Sequence, residues 1–173
     1  IGSQFVQIVK NIPEHHIQYG ESRVDDVLSL EKELLEKKPS HVISFIGRTH
    51  GAIDDKIYTT IDYLEQPGKL KENIRDNLFS PVSLALICKR LSIHLTYLGT
   101  GCIFSYDENH SYGHENTGFK ESDLPNFFGS SYSTVKGFTD RLMHLLDHPI
   151  LNLRIRMPIV GEDNPRNFIT KII

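Results

Sequence analysis

In the stretch SSYSTVKGF, residues 130–138, a tyrosine precedes a lysine by four positions: Tyr132 and Lys136. On a helix this spacing puts both side chains on one face, a turn apart. A phenol beside an ammonium is a ready proton donor, because the positive charge lowers the phenol's pKa. Two polar residues on a solvated helix face would look the same, and Tyr-x-x-x-Lys alone does not choose between these readings. Upstream, YLGTGCIF presents Thr100 at the end of an expected strand. Hydroxyl, phenol and lysine together are the set a carbonyl reductase uses: the phenol gives the proton and the hydroxyl holds the substrate oxygen. Cys102 follows Thr100 by two residues, so in an extended segment both side chains leave the same face. A free thiol, with a pKa near about 8.5, needs only modest tuning to exchange protons at neutrality. Cys88, beside Ile87 in a helical pattern, reads instead as a small buried hydrophobe.

The elements that must position these groups are short. Residues 15–19 (HHIQY), 41–46 (HVISFI), 93–98 (IHLTYL) and 151–157 (LNLRIRM) are rich in β-branched or aromatic residues and read as strands. Over 24–38, Val27, Leu30, Leu34 and Leu35 keep helical spacing. Residues 69–91 are a long helix candidate with a kink or break expected at Pro81. Between 131 and 147, Val135, Phe138, Leu142, Leu145 and Leu146 form one apolar stripe. Strand alternating with helix predicts an α/β chain with a parallel sheet. In such sheets the working residues gather at the carboxyl ends of the strands. Here those ends are 20–23, 47–51, 99–104 and 158–168, all rich in Gly, Thr, Arg, Cys and Asn.

Bulk properties narrow the function classes. The 173 residues suffice for one domain with a real core, and 39% hydrophobic with 24% charged residues is ordinary for a globular chain. A net charge of −3 and a pI near 6.3 give no electrostatic reason to expect nucleic acid or an anionic membrane as partner. Two cysteines without a CxxC fit free thiols in a reducing cytoplasmic setting. No apolar run approaches the roughly 18 residues of a membrane span, and the N-terminus shows no basic-then-apolar leader, so a soluble, untargeted protein is expected. In HSYGH, His110 and His114 stand four apart with Gly113 between them and no HExxH, so these read as loop histidines and no metal is expected.

Four segments carry a resemblance: YLGTGCIF, PNFFGSSYSTVKGF, LRIRMPI and NPRNFITKI. They closely resemble segments of the bifunctional nucleotide-rhamnose synthases of the extended short-chain dehydrogenase/reductase family. These epimerase-reductases turn UDP-4-keto-6-deoxyglucose into UDP-rhamnose and are known in plants and giant DNA viruses. The resemblance covers almost the whole chain, and NPRNFITKI separates this subgroup from generic reductases. It implies a Rossmann-like doubly wound parallel sheet truncated at both ends. Residues 1–173 would then be an NADP-binding domain lacking the first strand and most of the C-terminal substrate-binding part.

The resemblance also implies roles. Thr100, Tyr132 and Lys136 fill the family's catalytic triad, with Lys136 also on the nicotinamide ribose. Cys102 and Lys171 match the cysteine and lysine of the epimerase step, and Gly2 the last glycine of the family's Gly-x-x-Gly-x-x-Gly loop. GRTHG, residues 47–51, matches the cofactor-contacting turn through Gly47, Arg48 and Thr49, whereas Ser44, Phe45 and Ile46 replace the usual Asn-Ala-Ala. Asn77 matches an asparagine that supports the catalytic lysine through water, and Asn126, Arg166 and Asn167 fall at substrate positions. Ser22 and Arg23 follow the 15–19 segment, where a dinucleotide fold chooses between a ribose hydroxyl and a 2′-phosphate; an arginine there favours NADPH, with Glu21 as the dissenting neighbour.

The implied chemistry is coherent. A C4 ketone acidifies the protons on C3 and C5, and inverting each centre needs a base on one face and an acid on the other. Cys102 and Lys171 suit those two places. The implied partners are a nucleotide-sugar substrate and a second copy of the chain. That homodimer would form through the helices at 69–91 and 131–147, with Phe79, Leu86 and Met143 available to it. Two other readings stand beside this one: a plain dTDP-4-dehydrorhamnose-type reductase, and a non-catalytic cofactor-binding subunit.

Overall fold

The computed structural model describes residues 1–114, 117–157, 159, 161 and 169–171, with Lys171 described by its backbone only. Three strands form a parallel sheet in the order β1 (His41–Ser44), β4 (His94–Thr100), β5 (Ile150–Ile155). Alternation along β4 decides which side chains go under the helices: Leu95 and Tyr97 are 0% and 1% exposed. The opposite face carries Ile43, Leu151 and Leu153, which stay exposed.

Helices α2 (Val27–Lys37), α4 (Ser80–Leu91) and α5 (Ser131–Leu145) cover the buried face. Leu30 and Leu34 of α2, Leu84, Ala85, Ile87 and Cys88 of α4, and Met143 of α5 close over Leu95 and Tyr97 as one core. Met143 is therefore a core residue, not one available to a partner. Cys88 behaves as expected, its thiol pushed up to about 11 by burial. Helix α2 starts on the Asp26 carboxylate, which accepts from Ser29 N at 3.2 Å, and ends at left-handed Lys38.

Three expectations need correction. Residues 15–19 form no strand: among the described residues β1 pairs only with β4, so this segment has no ladder partner, and its Tyr19 carbonyl is met by Lys37 Nζ at 2.8 Å instead. A two-stranded hairpin, β2 (Gly51–Ile53) with β3 (Lys56–Tyr58), appears where no strand was expected. The third concerns the long helix, which runs as α3 (Leu70–Ile74), a π turn over Arg75–Phe79, and α4. The break expected at Pro81 is realised one turn earlier, as this wider turn. Pro81 has no N–H to return to the preceding turn. The carbonyl of Asn77 is met instead by Thr139 Oγ1 of α5, at 2.5 Å. Among the described residues no helix is long and apolar enough to cross a membrane.

Candidate active site

Tyr132 sits in the first turn of α5, and that turn is fastened from three sides. Ser130 Oγ accepts from Ser133 N at 3.0 Å. The Glu65 carboxylate accepts from Ser131 N and Tyr132 N, at 2.8 and 2.9 Å, a negative charge at the positive end of a helix. Asn73 Nδ2 donates to Ser131 Oγ at 2.9 Å. The Tyr132 ring packs with Tyr63 and Leu64, and Cys102 packs against the same group. Burial pushes the Tyr132 phenol up to about 12, against a downward pull from its hydrogen bond with Thr100. At neutral pH the phenol therefore keeps its proton.

Thr100 closes β4 at the carboxyl edge of the sheet, and the chain then turns rather than running on extended. Thr100 Oγ1 accepts from Cys102 N–H at 3.1 Å. The two side chains are thus neighbours through this turn, not through the strand alternation expected. Lys136 is 5% exposed, and its Nζ donates to the Tyr97 hydroxyl, not to Tyr132. Burial lowers the Lys136 ammonium to about 8, with Asp140 and then Cys102 opposing the shift. The expected lowering of the Tyr132 pKa by Lys136 is consequently not seen here: burial of the phenol dominates and the ammonium points elsewhere. Asp140 is itself held by Arg154 Nε and Nη2, both at 2.8 Å, and by Asn152 Nδ2 at 2.9 Å.

A cleft of about 460 Å³ opens along the same side of the sheet, lined among others by Ser22, Arg23, Gly47, Arg48 and Asp76. Glu33 of α2 holds its rim, accepting from Glu21 N at 2.9 Å, Ser22 N at 2.7 Å and Lys37 Nζ at 2.7 Å. Lys37 first, then Ser22, keep the Glu33 carboxyl down at about 2. Arg23 projects from this rim, 68% exposed, with Asp25 bound across its guanidinium at 2.9 and 3.0 Å. Gly47 turns the chain at φ +150°, and a Cβ there would meet Asn77 Oδ1 at 3.1 Å. Asn77, fully buried, accepts from Arg48 N and donates to Arg48 O, both at 2.9 Å. The Arg48 guanidinium lies between Asp76 at 2.5 Å and Glu72 at 2.9 Å. Gly2 opens α1 (Gly2–Val9) against Phe45, which also lines the cleft; a Cβ at Gly2 would stand 3.2 Å from that ring. A cleft of this size, with an exposed guanidinium on its rim, a backbone-lined turn and a helix start beside it, fits part of a phosphorylated dinucleotide.

The structure thus gathers Thr100, Tyr132 and Cys102 in one cluster, with Lys136 one turn along α5, and Ser22, Arg23, Gly47 and Arg48 in one cleft. Thr49 stands beside His50, its Oγ1 3.4 Å from the ring nitrogen. The Asn126 amide accepts from Ser105 N and donates to Ser105 O and Asp107, at 2.8–2.9 Å, stapling the loop after Cys102. Arg166 and Asn167, and the side chain of Lys171, lie outside the described residues. Sequence reasoning missed Glu65, Glu33, Tyr63 and Tyr97. Only Tyr97 carried a signal, being a polar aromatic in an inward slot of a strand, where its hydroxyl needs a partner.

No protein-family model matches the chain. Protein L780 of Acanthamoeba polyphaga mimivirus is 58% identical over 173 residues, which is 100% of this chain and 57% of L780. The crystal structure of the L780 UDP-rhamnose synthase superposes with a TM-score of 0.86, covering 99% of this chain and 57% of that one. The Arabidopsis thaliana trifunctional UDP-glucose 4,6-dehydratase/UDP-4-keto-6-deoxy-D-glucose 3,5-epimerase/UDP-4-keto-L-rhamnose-reductase RHM2 is 39% identical over 156 residues, 90% of this chain and 22% of RHM2. A dTDP-4-dehydrorhamnose reductase of Clostridium acetobutylicum shares the fold at a TM-score of 0.73 and 19% identity, over 99% of this chain and 54% of its own. The chain spans little more than half the length of L780 and less of RHM2. Its α/β fold is Rossmann-like, and the chain is, along its whole length, a homologue of the L780 UDP-rhamnose synthase.

Proposed function

We propose that this chain carries the cofactor cleft and the acid–base cluster of an NADPH-dependent 3,5-epimerase/4-ketoreductase that converts UDP-4-keto-6-deoxyglucose to UDP-L-rhamnose. The observation that carries the reading is the convergence of Thr100, a proton-bearing Tyr132 and Cys102 at the end of β4, in a chain 58% identical to L780. When bound, the dinucleotide supplies the hydride that reduces the C4 ketone. Gly2, Ser22, Gly47, Arg48 and Thr49 hold it in the cleft, and Arg23 leaves Asp25 to meet the 2′-phosphate. Asn77 acts on it indirectly by fixing the Arg48 backbone.

Tyr132 gives its proton to the C4 oxygen while Thr100 orients that oxygen, and Lys136 holds the ribose. Cys102 removes protons at C3 and C5 as the ketone stabilises the carbanion, with Lys171 supplying protons on the opposite face. Arg166 and Asn167 bind the nucleotide sugar, and Asn126 shapes the loop beside it. The protein works in the cytoplasm as a homodimer, since Phe79 and Leu86 of the long helix and Phe138, Leu142 and Leu145 of α5 leave an apolar face exposed.

The test is full-length protein incubated with UDP-4-keto-6-deoxyglucose and NADPH. UDP-rhamnose formation, lost by roughly 10²–10⁴ in Tyr132→Phe, supports the reading, as does a sedimentation mass of two protomers for the dimer. Cofactor left unoxidised by the wild type, or undiminished turnover in Tyr132→Phe, overturns the assignment.

A further inference from the structure

Lys136 and Tyr97 meet inside the core, 5% and 1% exposed. Nζ donates to the phenol oxygen and lies 4.7 Å from the ring centroid, so the ammonium approaches the hydroxyl end of the ring. Around them the core is apolar, with Leu84, Ala85 and Met143 in the same cluster as Tyr97. In the sheet, Tyr97 is in register with Ser44 of β1 and Asn152 of β5. Ser44 Oγ and Asn152 Oδ1 are the buried side-chain atoms without a hydrogen-bond partner among the described residues, so neither receives the ammonium. Asn77 does not receive it either: its amide is spent on Arg48 and Asn73. Among the described residues the Tyr97 hydroxyl is the oxygen that accepts a hydrogen bond from this cation.

We propose that Tyr97 is the positioning residue of the site, its phenol oxygen being the seat from which Lys136 is presented to the cofactor ribose and to Tyr132. The inference rests on the function proposed above and adds to it a residue on β4 that touches neither substrate nor cofactor. A neutral oxygen accepting from the ammonium favours the charged lysine, so the seat also keeps Lys136 protonated in the core. The other groups facing this pair are Cys102 from the turn after β4, and Tyr132 and Asp140 from the lysine's own helix. Asp140 is shared with Arg154 of β5 and with His144. The π turn packed on α5 offers neutral Asn77, while its Asp76 is bound to Arg48 and Arg75.

The experiment is Tyr97→Phe in the full-length protein, which keeps the ring and removes the oxygen. Protein labelled with ¹³C-lysine gives the titration of Lys136 by NMR, its signal assigned from Lys136→Met, and the pH profile of reduction is measured in parallel. The expected result is a fall of about one pH unit both in the Lys136 midpoint and in the alkaline limb of turnover, from losing one charge-assisted hydrogen bond. Because Tyr97 is a core residue, 3-fluorotyrosine at position 97 serves as the second variant. It keeps the shape, weakens the oxygen as acceptor, and gives a smaller shift in the same direction. An unmoved Lys136 midpoint in both variants overturns the role of Tyr97, whatever the activity. Absence of reduction in the wild type counts against the proposed function alone, since the NMR titration does not depend on turnover.

Discussion

Lys136 is held as a cation where water scarcely reaches, and this has a thermodynamic signature. Its pKa of about 8 in the folded chain lies below the ordinary value of 10.5, so the unfolded state binds more protons between those two values. Stability then rises with pH across that window, and below it the buried charge is a standing penalty. Lys136→Met is expected to stabilise the chain by about 1–3 kcal/mol at pH 7, and the gain should shrink towards pH 10.5 as the wild-type lysine loses its proton. Thermal unfolding at about pH 7 and pH 10 checks this; a variant less stable at both would show that the bond to Tyr97 outweighs desolvation. Among individual residues, Thr100, Tyr132, Lys136 and Cys102 were legible in the sequence because reactive types at short fixed spacings project together from a helix or a strand end. Tyr97 and Glu65 were not: Tyr97 reaches Lys136 across 39 positions, and Glu65 reaches Ser131 across 66. No local period encodes such contacts. The electrostatics misled for a related reason, since spacing put Lys136 beside Tyr132 but could not show a deeper oxygen competing for it.

The long helix shows how one element carries geometry to another. Its π turn holds Asp76 and Asn77, which fix Arg48 in the cleft, while the Asn77 carbonyl, left without a proline N–H at position 81, binds Thr139 of α5. Cleft and α5 are joined through that carbonyl and, in parallel, through the Asn77–Asn73–Ser131 side-chain bonds. Thr139→Val, isosteric but without the hydroxyl, should cost about 1–3 kcal/mol in urea unfolding, because it leaves a buried carbonyl unmet. In a Pro81→Ala background the loss should be smaller, since the substituted residue brings a backbone N–H to the same turn. Equal losses in both backgrounds would mean that Thr139 does not compensate for the proline. The span of α2 and the stripe of α5 were readable from apolar periodicity, and Pro81 announced an irregularity. The widened turn itself has no period to read. The 15–19 segment has strand composition, yet composition supplies no neighbouring strand, and the three-residue strands of the β2–β3 hairpin are too short to show alternation.

At the scale of the whole molecule, three strands in the order β1–β4–β5 place the Gly47 turn and Thr100 at one edge, and the helices on the buried face bring Tyr132 and Lys136 to it. The parallel sheet followed from strand–helix alternation, while the resemblance to the rhamnose synthases rested in part on NPRNFITKI, whose residues 164–168 and 172 lie outside the described part of the chain. The central claim is that two chemistries share this edge, proton exchange through Cys102 and reduction through Tyr132. Proton NMR of a 4-keto-6-deoxy sugar nucleotide in deuterated buffer, with the full-length protein and with or without NADPH, separates them most directly. Cys102→Ala should leave C3 and C5 undeuterated yet still reduce a 4-keto sugar whose centres are already inverted, and Tyr132→Phe should wash deuterium into both carbons while the ketone persists. Deuterium entering C3 and C5 at the wild-type rate in Cys102→Ala would contradict the shared site and leave a plain reductase.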